Sequence, residues 1–150
     1  MGRNKHGHRW HPWRYLAHRH PHLRVTCEYV LPESRKGLAT TEGIYLDRRL
    51  TQAGRRCTLT HEIIHLERGA PPDHPHFAAY EEHLVEVLAA RRLIAIPQLI
   101  DAALWTQHPY ELADELWVDI DTLTTRVQHL TREERATIIR ELAERQPWNN

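Results

Sequence analysis

The chain has 150 residues, with 20 Lys and Arg balanced by 20 Asp and Glu and 41% hydrophobic residues. That length supports one domain with a real core, and the composition excludes a disordered chain. Two cysteines make no disulfide framework, and no apolar run reaches the roughly 20 residues of a membrane-spanning helix, so a soluble cytoplasmic protein is expected.

The charge is unevenly spread. Residues 1–36 carry eight Lys and Arg against two Glu, a surplus of six. Met1 to His22 is basic and His-rich without an apolar stretch, so it does not read as a signal peptide. Trp10, Trp13 and Tyr15 alternate with Arg9, Arg14 and Arg19. Such a mixture can bind nucleic acid, and it is equally an amphipathic helix with its aromatics turned inward. The second reading predicts a helix over Pro12 to Arg19. Leu23 to Leu31 is rich in β-formers and reads as a strand, Pro32 to Gly37 as a turn, and Leu38 to Thr41 with Gly43 to Asp47 as a pair of short strands. The last of these, as an edge strand, would be placed to pair with an extended substrate.

Thr51 is a suitable N-cap for a helix from Gln52 to Arg68, with Gly69 expected left-handed just after it and Pro71-Pro72 blocking continuation. Further helices are expected over Phe77 to Ala95, Pro97 to Gln107, Pro109 to Trp117, Asp119 to Leu130 and Thr131 to Gln146. Thr131-Arg132-Glu133-Glu134 is a capping box, and Trp148 to Asn150 is expected to fray. The order predicts an α+β fold in a single domain, 1–150. Residues 1–95 would hold a short sheet and two long helices, and 96–146 would be helical.

The first long helix carries His61-Glu62-Ile63-Ile64-His65. With 13 histidines in the chain, a chance pair is not rare. This pair, however, sits on a capped helix with apolar positions at Cys57, Ile64 and Leu66. Two histidines four apart share one helix face and can hold one Zn²⁺ while leaving positions open. The glutamate between them lies just off that face, where it can act as a general base. Hydrolysis of a peptide bond is the chemistry that uses this arrangement.

A third ligand must come from elsewhere. The metzincin pattern requires Gly and His where Arg68 and Pro71 stand, so it fails. On the next helix Glu82 and Glu86 share a face with Ala78, Val85 and Ala89. A carboxylate on an apolar face is expensive unless paired or metal-bound. Glu82 as ligand, with Glu86 accepting a hydrogen bond from a liganding imidazole, meets that requirement. Glu81, on the Leu84 and Leu88 face, and the loop histidines His74 and His76 remain alternatives. Cys57, one turn before His61, is either a core thiol or a fourth, inhibitory ligand. Tyr80, His76 and His83 are candidates for stabilising an oxyanion.

Cys57-Thr-Leu-Thr-His-Glu-Ile-Ile-His-Leu-Glu-Arg-Gly69, followed by Glu81-Glu82 and Ala89-Ala90-Arg-Arg-Leu-Ile94, resembles the ImmA/IrrE family of metallopeptidases. Versions from actinobacteria and their phages are the most similar, and the likeness extends from about His11 to Glu134. It implies a zincin-like fold, Zn²⁺ ligands at His61, His65 and Glu82, and a base at Glu62. Where the family often has Asn or Asp four residues after the ligand Glu, this chain has Glu86. The resemblance also implies an intracellular protease that cleaves helix-turn-helix repressors, lifting repression in phages and mobile elements or serving stress responses.

Glu111 to Val127 reads like a helix-turn-helix, with Ala113, Leu116, Leu123 and Val127 spaced for two packed helices. The resemblance implies such a unit here too, as a possible dock for the repressor. A DNA-binding regulator is therefore an alternative. Residues 110–130 carry five acids against Arg126 alone, which would repel DNA, and Trp117 stands where the turn commonly has Gly. Weak DNA association at most is expected. A repressor-binding protein with little proteolysis is the other alternative.

Overall fold

The computed structural model describes residues 9–146. Met1 to His8, which hold part of the basic arm, and Trp148 to Asn150, expected to fray, lie outside the described residues. The elements run α1 (Pro12–Arg19), β1 (Arg24–Thr26), β2 (Gly37–Ala39), β3 (Gly43–Leu46), α2 (Gln52–Arg68), α3 (Pro75–Leu93), α4 (Ile96–Trp105), α5 (Pro109–Leu116), α6 (Ile120–Gln128) and α7 (Arg132–Arg145). The fold is α+β and mostly helical: a short three-stranded mixed sheet with seven helices among the described residues. None of these helices is long and apolar enough to cross a membrane.

The sheet order is β1-β3-β2, with β1 parallel and β2 antiparallel to β3. The expected strand from Leu23 to Leu31 is cut to three residues. After Thr26 the chain leaves the sheet, and the β-formers Tyr29 and Val30 stand exposed. Leu31 is instead tied through its backbone N–H to the Asp47 carboxylate at 2.9 Å. β3 is central rather than an edge, because its two sides are taken by β1 and β2. It therefore has no free edge for a substrate, and that expectation is corrected.

α2 begins where the Thr51 hydroxyl accepts from the Gly54 N–H at 3.1 Å. It ends at Gly69, whose φ is positive as expected (87°). Its ψ of −171° is extended, however, a combination open essentially to glycine alone rather than the left-handed helical one. α2 packs against apolar clusters on several sides. Leu59 and Ile63 pack with Leu16, Ile44 and Leu46, and Ile64 packs with Val85 and Ala89. Cys57 belongs to a third cluster with Leu93, Leu99, Leu116 and Leu123. Each fully buried Leu or Ile contributes about 1.5–3 kcal/mol. Trp13 and Tyr15 of α1, with Trp10 just before it, pack against the first cluster, so these aromatics do face inward.

Arg56 is 7% exposed and ties three segments together. Its guanidinium donates to the carbonyls of Trp10 (3.0 Å), Leu116 (3.3 Å) and Trp117 (2.9 Å). These carbonyls include the open C-terminus of α5, which has no intrahelical donors. Trp117 follows in the left-handed conformation (φ 57°, ψ 41°), so the turn between α5 and α6 has the glycine-like backbone without the glycine. Ala113, Leu116 and Leu123 are buried as the spacing predicts, but Val127 is 38% exposed. Arg126 takes the inward position instead. It is 4% exposed and donates to the Ile94 carbonyl (2.9 Å) and to Glu134 (2.7 Å).

Candidate metal centre

Two ion-pair clasps set α3 against α2. Arg92 donates both guanidinium nitrogens to Glu67 at 3.1 and 3.0 Å, and Tyr15 donates to the same carboxylate. Arg68 holds Glu81 through two nitrogens. That pairing draws the Glu81 carboxyl below its usual range and commits it away from the histidines.

With the helices so fixed, Glu82 lies across the histidine pair. One carboxylate oxygen is 2.7 Å from His61 Nε2, the other 2.9 Å from His65 Nε2, and the two Nε2 atoms are 3.1 Å apart. The three side chains are the group of metal-ligating atoms that converge within 4.8 Å among the described residues. Ligands about 2.1 Å from a tetrahedral Zn²⁺ lie roughly 3.4 Å apart, so two imidazole nitrogens and a carboxylate match that ion in donor chemistry and would have to part slightly to admit it. His61 and His65 are each 23% exposed and Glu82 48%, which leaves the centre open on one side as a catalytic metal requires.

Glu62 sits inside this rim, 8% exposed. Burial pushes its carboxyl above the usual range, with the nearby imidazoles opposing. β2 passes close over it. A Cβ at Gly37 would come 2.6 Å from Thr58 Cγ2 and 2.9 Å from Glu62 Oε1, so only glycine allows this approach.

A cavity of about 520 Å³ opens from the centre. His61, Glu62 and Glu82 form one wall, Arg35, Lys36 and Gly37 another, and the start of α6 a third, while Ala89, Ala90 and Leu93 lie at its base. Lys36 spans toward α6 to pair with Asp121 at 3.6 Å. Arg35 and Lys36 follow Glu33 and Ser34, two successive non-glycine residues at φ 57°. The turn from Pro32 to Gly37 was expected, but the place of Arg35 and Lys36 at the cavity was not, because they match no motif. Gly37, the first residue of β2, was the one available signal.

The other expected residues fall as follows. Glu86 lines the cavity one turn beyond Glu82, and among the described residues it makes no hydrogen bond to either imidazole. Tyr80 and His76 are exposed and do not line the cavity. His83 is also exposed, its ring 5.0 Å from that of His129. His74 caps α3, accepting from the His76 N–H at 3.2 Å. Cys57 is buried and accepts from the Asp119 N–H at 3.4 Å, and desolvation pushes its thiol up to about 11, as a core thiol behaves. The chain matches no protein-family model, and neither the curated proteins nor the solved structures give a match.

Proposed function

We propose that the chain is a zinc-dependent endopeptidase that cleaves a helix-turn-helix repressor and so relieves transcriptional repression, in a phage or mobile-element switch or a stress response. The observation that carries this reading is the convergence of His61, His65 and Glu82 beside the buried Glu62. The repressor as substrate follows from the ImmA/IrrE resemblance, as do the zincin-like fold and a docking role for the α5–α6 pair.

His61, His65 and Glu82 would hold the ion, which when bound supplies Lewis acidity to the scissile carbonyl and the attacking water. Glu62 takes a proton from that water and returns it to the leaving amine, a role helped by the raised pKa that burial gives it. β2 lies at the sheet edge beside Glu62 and can pair with an extended substrate. Arg35 lines the cavity and would stabilise a developing oxyanion on turning from Glu33, whereas Tyr80, His76 and His83 do not line it.

The test is co-expression with a helix-turn-helix repressor encoded next to the chain. The wild type produces a cleavage product, and Glu62→Gln does not while keeping its zinc. A repressor that stays intact yet co-purifies would favour the interaction-protein alternative. For the DNA-binding alternative, the single arginine of α6 would have to reach phosphate. Arg126 is instead buried against Ile94 and Glu134, and nothing else in the pair is cationic. Sequence-specific DNA binding that survives moderate salt would reverse this preference.

A further inference from the structure

At the other end of α2 a second cavity, of about 490 Å³, opens between the first turn of that helix, the segment leading into α1, and the α5–α6 turn. Arg9 and Arg56 both line it, as do Trp13 and Trp117. The Arg9 guanidinium lies 4.6 Å from the centre of the Trp117 ring, and its Nη1 is buried with no hydrogen-bond partner. Arg56 donates to carbonyl oxygens only. Among the described residues no carboxylate is within ion-pair distance of either guanidinium, and Asp114, which also lines the cavity, is exposed and paired with neither.

Two guanidinium groups with no carboxylate partner among the described residues thus share one cavity, and burial together with the Arg9 charge holds the Arg56 pKa down. The positive end of the α2 dipole adds to the same field. A buried guanidinium nitrogen without an acceptor is destabilising, and a phosphate or carboxylate supplies the acceptors in a geometry that the planar fork matches. The indole walls provide flat apolar surface beside it.

We infer that this cavity binds a small anion carried on a flat ring, a phosphate or carboxylate joined to an aromatic group. The site is separate from the metal residues and does not depend on hydrolysis. Two sources have this chemistry, nucleoside monophosphates and aromatic carboxylic acids.

Calorimetric titration of the full chain with adenosine monophosphate, indole-3-acetate, inorganic phosphate and adenosine distinguishes them. At least one ring-bearing anion is expected to bind one-to-one and at least tenfold tighter than phosphate or adenosine. Arg9→Ala weakens that binding at least tenfold with a melting temperature unchanged or raised, and Arg9→Lys, which keeps the charge but loses the fork, falls between. Preference for adenosine monophosphate points to a nucleotide, and preference for indole-3-acetate to an aromatic acid. The inference is overturned if neither ring-bearing anion saturates, if phosphate alone binds as tightly, or if the Arg9 variants bind like the wild type.

Discussion

Glu62 and Glu134 are the same side chain placed in opposite surroundings. Glu134 accepts from the buried Arg126 at 2.7 Å and from the Thr131 N–H at 3.0 Å, and the Arg126 bond above all holds its carboxyl down to about 2. It is a fixed charge that locks α7 to α6. Glu62 is more deeply buried and has no such partner among the described residues; burial raises its pKa, and glycine at position 37 lets the backbone close over it. The contrast separates a carboxylate whose charge is matched for stability from one that burial leaves unmatched, as the proposed general base would be.

Substitutions should divide along the same line. The largest effect is expected at Glu62. Replacement by Gln removes the proton acceptor and lowers turnover by about 10²- to 10⁴-fold, as loss of a general base does, with the melting temperature unchanged or raised. Equal turnover in the variant would remove Glu62 from the chemistry. At the other pole, Glu134→Ala leaves Arg126 buried without its anion and is expected to cost about 3 kcal/mol of stability in chemical denaturation, with normal metal content. A neutral result there would mean that the Ile94 carbonyl alone satisfies Arg126.

Gly37→Ala sharpens the comparison by disturbing Glu62 without touching its chemistry. The added methyl displaces Thr58 or Glu62, and turnover is expected to fall roughly tenfold, in line with about 1.4 kcal/mol of misplacement, while KM changes less. Normal turnover would show that β2 yields freely.

Acid provides the gentlest probe. The folded-state pKa of Glu134 is depressed, so its stabilisation is fully present above its ordinary carboxylate range near 4.5 and is lost as pH falls toward about 2. The wild type should lose more melting temperature across that interval than Glu134→Gln, and parallel curves for the two proteins would contradict the pairing.

Much of the local structure was legible because it is set by local signals. Thr51 and Gly69 bracket α2 at the residues observed, and the Thr131 to Glu134 capping box opens α7 as read. The histidine pair needed only helical periodicity, and the shared face with Val85 and Ala89 made Glu82 the favoured candidate without excluding Glu81. What escaped was tertiary. β-Propensity extended β1 through Tyr29 and Val30, which have no neighbouring strand to pair with. Apolar spacing put Val127 inside α6, where Glu134, eight residues on from Arg126, makes burial of the arginine favourable instead. The choice of Glu82 over Glu81 depended on Arg68 reaching from α2 to hold Glu81. The loop with Arg35 and Lys36 reaches the centre only because β2 folds back along β3.

The most direct test of the central claim is zinc stoichiometry in purified full-length protein, by metal analysis after dialysis against Zn²⁺ and then against buffer. One zinc per chain is expected in the wild type and in Glu62→Gln, and none in His61→Ala, His65→Ala or Glu82→Ala. A wild type that retains no zinc, or a Glu82→Ala variant that retains a full equivalent, would contradict the proposed metal centre.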